Sequence, residues 1–193
     1  MNREPDMNSF CLPGQDIVTT QVKHAKPLSD YYLRNQERFA PWHPQIGTDH
    51  HSVSTWKRRL KERENDFSEG RSVHFIGLEK GLVVGACSLT NILYSPAYYC
   101  NLGYSVDSHY EGTGAMTAIV KHAMAFCFEN LKLNRVCANY MPANERSARL
   151  LGKLGFEKEG FAKRYLYING RWEDHILTSL LNPAGTVEPY DQQ

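Results

Sequence analysis

Gly112 and Gly114 stand between two runs of different period. Before them Leu102, Tyr104 and Val106 alternate, the period of a half-buried strand. After them Met116, Ile119, Val120, Ala123, Phe126, Cys127 and Leu131 recur every three or four residues, the period of an amphipathic helix. A strand that passes through glycines into a helix leaves the first-turn N–H groups unpaired and the positive end of the helix dipole accessible. Such a nest suits phosphate groups, a diphosphate above all, without any basic side chain. The same spacing also serves an ordinary glycine-containing turn. Position 117 is Thr, not the third glycine of a dinucleotide fingerprint, and no Gly-Lys-Ser/Thr follows to make a Walker loop.

Other residue types that could do chemistry are scattered. Ser147 follows Asn144 by three, a spacing at which one residue caps a helix and the other sits in its first turn. His50 and His51 are adjacent, but no second ligand cluster has suitable spacing, so no metal site is expected. Cys137 has no imidazole or acid placed by sequence to activate it as a nucleophile.

The elements that must position these residues follow from pattern. Asp16 to Lys23 is rich in β-branched residues and predicts a first strand. A helix starting near Pro27 buries Leu28, Tyr31, Tyr32 and Phe39, and the run from Ala40 to Pro44 breaks it, placing Trp42 on a loop as packing anchor or groove wall. Residues 52–67 predict a second helix with Val53, Trp56, Leu60 and Phe67 in register. Its Lys57, Arg58, Arg59, Lys61 and Arg63 form a solvated face or meet an acidic or ribonucleoprotein partner. Two strands joined through Lys80-Gly81 and a third from Tyr98 to Val106 lead into the glycine loop. Beyond the loop's helix come a strand from Arg135 to Tyr140, a short helix opened by Ala143 or Asn144 and stopped by Gly155, and two extended segments joined by Asn169-Gly170.

Length and composition set bounds. At 193 residues and net charge +1 the chain is one domain with a core of its own, and no global field draws it to nucleic acid or an anionic membrane; direct nucleic-acid binding is expected to be absent or weak. Five cysteines, an odd number without a Cys-x-x-Cys pair, read as reduced, mostly buried thiols. With no long apolar run and no signal-peptide core, a soluble cytoplasmic protein is expected. Residues 1–15 read as a flexible arm, 16–183 as the domain and 184–193 as a tail.

Three motifs together carry a resemblance: the glycine loop, Asn144-Glu145-Arg146-Ser147, and Leu150 to Gly160 with its Leu154-Gly155-Phe156. In this combination the chain resembles the Gcn5-related N-acetyltransferase (GNAT) superfamily. Ala138 to Pro142, the hairpin Asn169 to His175, and the early Asp30-Tyr31-Tyr32 and Pro41-Trp42 are similar to the type that acetylates ribosomal-protein alanines. The resemblance implies a single GNAT-like α/β (α+β) domain, a mixed, mostly antiparallel sheet of about seven strands flanked by about four helices.

It further implies acetyl-coenzyme A as cosubstrate, with its pyrophosphate on Glu111, Gly112, Thr113, Gly114, Ala115 and Met116. The pantetheine arm would lie as an extra strand along Tyr104, Ser105 and Val106, held also by Asn144. His109 stands where the superfamily usually has Arg or Gln, so no side-chain phosphate contact is carried over there. Ser147 is implied as the acid for the departing thiolate and touches the cofactor. The base is open among His74, Glu111, Asp174 and His175, because Leu166 and Asn101 occupy positions where relatives carry glutamate. An α-amine, with a pKa of ~8 against ~10.4 for lysine, needs only modest help to lose its proton. Trp42, Asn101, Tyr140 and Tyr165 are the expected substrate groove.

The implied activity is direct acyl transfer to the N-terminal α-amine, Ala or Ser, of a small-subunit ribosomal protein, with the ribosome or its assembly particles as further partners. The rivals are the same fold acting on a small amine such as a polyamine or antibiotic, and a non-catalytic ribosome-assembly factor that retains the fold.

Overall fold

A computed structural model describes residues 14–44 and 50–185. The arm expected over 1–15 therefore lies outside the described residues except for Gly14 and Gln15, as do Cys11 and most of the expected tail. Seven strands form one sheet in the order β1-β2-β3-β4-β5-β7-β6. They are β1 (Gln15–Thr19), β2 (Val73–Glu79), β3 (Leu82–Leu93), β4 (Tyr99–Val106), β5 (Arg135–Cys137), β6 (Glu157–Ile168) and β7 (Arg171–Leu181). All neighbours are antiparallel except β4 and β5, so the sheet is mixed and mostly antiparallel. Five helices flank it: α1 (Ala25–Arg34), α2 (Gln36–Phe39), α3 (Val53–Ser68), α4 (Ala115–Ala125) and α5 (Glu145–Lys153).

Each face of the sheet buries one apolar layer. On one face α4 lays Ile119, Val120 and Ala123 against Phe75, Leu89 and Leu102, and the chain runs on through a π turn, Phe126–Asn130. On the other face α1 and α3 pack Leu28, Tyr31, Trp56 and Leu60 onto Ile76 and Val83. Each fully buried leucine or isoleucine contributes about 2 kcal/mol of apolar burial. Close approach of α4 depends on two paired glycines. Gly77 and Gly85 face each other on β2 and β3, and a Cβ on either would lie 2.7 or 2.9 Å from Ile119 Cδ1.

Local sequence explains most boundaries. Ser52 caps α3, its hydroxyl accepting the Thr55 amide. Gly155 takes φ +86 after α5, and Asn169 (φ +47) with Gly170 (φ +83) turn β6 into β7. Three expectations are corrected. The first strand stops at Thr19, because the Gln21 amide donates to the His24 imidazole and Val22–His24 forms a 3₁₀ turn. The helix begun near Pro27 divides, α1 ending at Arg34 and α2 carrying Phe39 separately. The strand expected to run to Tyr140 pairs with β4 for only three residues, as described below. The four described cysteines are free thiols, Cys137 half-buried and the others buried.

Candidate functional site

The cleft arises where the sheet splits. β4 and β5 pair over Tyr99–Asn101 and Arg135–Cys137. Beyond that the Ala138 and Tyr140 amides donate to Thr178 and Ile176 of β7, so this segment leaves with β7 while β4 continues beside β3. The Tyr98 carbonyl points toward β5 and accepts the Asn134 amide, and Val106 at the other end turns its carbonyl to Arg38. By strand alternation the polar groups of Leu102 and Tyr104 face the same side, into the gap. An open strand edge thus lines a cleft of about 860 Å³ whose other walls are α2 with the turn after it, the glycine loop and α5.

Asp107 fixes the end of β4. It is 2% exposed and accepts from Arg34, Asn35 and the amide and ring of His109. Burial alone would raise its pKa, but the hydrogen bonds from Asn35, His109 and Arg34 outweigh it and hold the carboxyl well below the usual carboxylate range. His109 is thereby occupied with Asp107. Gly112 (φ +75) and Gly114 (φ +92) then adopt left-handed backbone that other residues resist, and Gly114 opens α4. The first helical bond runs from Ala118 to Gly114, and the Ala115 amide goes to the Thr113 hydroxyl. The Met116 and Thr117 amides are left at the helix start, and both residues line the cleft.

The rim is basic. Arg38 from α2 and Arg146, Arg149 and Lys153 from α5 line the cleft against Glu111 and Glu145. Glu111 bridges the two walls, accepting from Arg38 and Arg146 at 2.5 Å each. Arg38 Nε is buried and forms no hydrogen bond with a described residue. Deeper in, Asn144 caps α5 by accepting the Ser147 amide at 3.1 Å. That cap uses the Ser147 backbone and leaves its hydroxyl for Tyr104, 2.6 Å away. Burial pushes the Tyr104 phenol up to about 12, so it is a proton donor at neutral pH.

The expected residues divide. Tyr104, Ser105, Val106, Glu111, Gly112, Gly114, Met116, Asn144, Ser147 and Trp42 line the cleft; Thr113 and Ala115 support the loop without lining it. Asn101 lies at the paired end of β4, Tyr140 forms a bridge to Ile176, and the hydroxyl of Tyr165, on β6, accepts from the side-chain amide of Asn139, which follows β5. His74 sits outside the cleft between the Ser72 and Ser88 hydroxyls, its pKa pushed down to about 3 by burial and Arg63. His175 is 3% exposed, and Asp174 accepts the Arg164 amide. Sequence reading missed Arg38, His43, Arg146, Arg149 and Lys153 as cleft residues. A signal existed for α5, where 146, 149 and 153 share one face at helical spacing.

A long cleft with an amide-bearing strand edge, a glycine nest and a basic rim defines a site for an extended ligand with phosphates at one end. Residues 17–157 match the acetyltransferase (GNAT) domain family. The chain is 38% identical over 162 residues to the [ribosomal protein uS5]-alanine N-acetyltransferase of Escherichia coli, covering 82% of this chain and 83% of that protein. A ribosomal-protein-S5-alanine acetyltransferase structure from Vibrio fischeri superposes with TM-score 0.87 at 36% identity, covering 90% of this chain and 96% of that one. Mycobacterium smegmatis RimJ in complex with CoA-disulfide gives TM-score 0.82 at 29% identity, covering 86% and 81%. The chain belongs to the GNAT acetyltransferase family and is an acyltransferase. Among the described residues no helix is long and apolar enough to cross a membrane, and no cluster of three or more His, Cys, Asp or Glu could hold a metal ion.

Proposed function

We propose that this enzyme transfers the acetyl group of acetyl-coenzyme A to the N-terminal α-amine, Ala or Ser, of a small-subunit ribosomal protein. The observation that carries this reading is the 38% identity, across four-fifths of the chain, to an enzyme named for alanine acetylation of ribosomal protein uS5. The cleft's chemistry supports the cosubstrate. Four cationic side chains and the Met116 and Thr117 amides suit a nucleotide diphosphate, and the Leu102 and Tyr104 backbone suits the two amides of pantetheine.

Bound acetyl-coenzyme A supplies a thioester carbonyl open to attack by an amine. The residues of the chain then have separable tasks. Arg38, Arg146, Arg149 and Lys153 hold the phosphate end, and the Asn144 cap orients the first turn of α5. A backbone N–H of β4 facing the gap donates to the carbonyl oxygen as it gains charge. The Ser147 hydroxyl, backed by Tyr104, donates to sulfur as the C–S bond breaks.

The test is thiol release from acetyl-coenzyme A with three sets of amines: peptides beginning Ala or Ser, the same peptides with blocked N-termini, and spermidine. Turnover confined to free peptide N-termini is expected. Turnover with spermidine alone overturns the reading in favour of a small amine, and cosubstrate binding without turnover does so in favour of an assembly role.

A further inference from the structure

The attacking amine must shed a proton, and the described cleft residues offer three carboxylate or imidazole groups to take it: Glu111, Glu145 and His43. Glu111 is clasped by Arg38 and Arg146, and the exposed Glu145 pairs with Arg149 one turn along α5. Both carboxylates are thus matched to cations at the phosphate end. His43 forms no ion pair with a described residue. It sits with Trp42 in the turn that follows α2, where its ring stacks on Phe39 at 5.2 Å and 24° while its own amide donates to the Phe39 carbonyl. These two contacts lock a half-buried imidazole against one wall of the cleft that Tyr104 and Ser147 also line.

We propose that His43 is the proton acceptor for the substrate's α-amine. This rests on the acyl-transfer reading of the cleft. As the C–N bond forms, the proton on nitrogen passes to the imidazole; the C–S bond then breaks, its electron pair leaves with sulfur, and sulfur takes a proton from the Ser147 and Tyr104 hydroxyl pair. Solvent then removes the proton from His43 and returns one to the hydroxyls, leaving an amide and a free thiol. Burial, with His51 and Arg38 nearby, lowers the His43 pKa from 6.5, so the ring is neutral at pH 7. A base of lowered strength suffices, because nitrogen becomes strongly acidic once it bonds to the carbonyl carbon. The charged and titratable groups facing the ring are Arg38 on α2 and His51 before α3. The other charged and titratable groups lining the cleft are Tyr104 on β4, Tyr110 and Glu111 on the glycine loop, and Glu145, Arg146, Arg149 and Lys153 on α5.

The test compares wild type with His43→Gln and His43→Asn in peptide acetylation, with acetyl-coenzyme A affinity as the folding control. Unchanged affinity and a kcat about a hundredfold lower are expected, partly restored by free imidazole. In the wild type, kcat should fall on the acid side with a midpoint below 6.5, and that limb should be absent from both variants. Variants within about threefold of wild type overturn the role, with ~0.65 kcal/mol as the corresponding barrier change. A wild-type kcat with no acid limb at any pH below 6.5 at which the protein stays folded also overturns it, even if the variants misfold. A wild type silent on every peptide removes the acyl-transfer reading and this role with it, whereas equal activity of wild type and variants removes only the role of His43.

Discussion

The Tyr104 and Ser147 hydroxyls lie 2.6 Å apart, tying the open strand β4 to the first turn of α5. Both hydroxyls are protonated at neutral pH, burial holding the Tyr104 phenol up at about 12, so when Tyr104 donates to Ser147 the serine hydrogen is left for a third atom. The two hydroxyls then act as a unit. Ser147→Ala is expected to lower kcat about a hundredfold and Tyr104→Phe about tenfold, with acetyl-coenzyme A affinity little changed. The double variant should be no slower than Ser147→Ala alone. Steady-state kinetics on all four proteins checks this: losses that multiply would mean that the hydroxyls work independently.

Arg149 and Lys153 point from α5 into the cleft rim, and Arg149 is largely exposed. Contacts of exposed charges with phosphate are modest and screened by salt. Substituting both residues by Ala should therefore raise KM for acetyl-coenzyme A about fivefold, leave kcat unchanged, and lose most of this effect in about 0.5 M salt. An effect on kcat instead would place these side chains near the reacting carbonyl.

Asp107 makes folding sensitive to acid. Its carboxyl titrates below the usual 3.8 in the folded protein, held there by Asn35, His109 and Arg34 against the opposing effect of burial. A depressed folded pKa means that the stabilisation is complete above the unfolded value and is lost as the pH falls below it. The urea midpoint should be level between about pH 5 and 7 and should drop below about pH 4. Asp107→Asn should cost about 2 kcal/mol at neutral pH and shallow the acid slope. An acid slope unchanged in the variant would assign it to other carboxylates.

What could be read from sequence was local. Gly112 and Gly114 before an apolar period, Ser52 ahead of α3 and Asn169-Gly170 between two extended runs each carry their conformation within a few residues. What could not be read depends on distant chain. The length of β5 is decided by competition between β4 and β7, since Ala138 and Tyr140 find their acceptors on β7. Arg38 reaches Val106 and Glu111 only because α2 folds over the end of β4. His43 had no period or motif to mark it. Asn101, Tyr140 and Tyr165 share the general region of the split sheet, yet none lines the cleft.

Gly85 couples core packing to the cleft wall. A Cβ there would lie 2.9 Å from Ile119 Cδ1 and 3.2 Å from the Ser105 carbonyl oxygen. The first neighbour is the tip of a side chain on α4; the second is backbone of β4, whose Ser105 lines the cleft and accepts from the Tyr31 hydroxyl. Gly85→Ala must therefore move Ile119, β4 or both, at a cost of about 1–3 kcal/mol. Ile119→Val removes the Cδ1 methyl and on its own costs about 1 kcal/mol. If the clash with Ile119 dominates, the double variant should be more stable than Gly85→Ala alone, although each change is destabilising by itself. If displacement of β4 dominates, the second substitution will not help, and KM for acetyl-coenzyme A should rise in both proteins that carry the Gly85→Ala change. Thermal midpoints of the four proteins, measured beside KM, decide which neighbour yields.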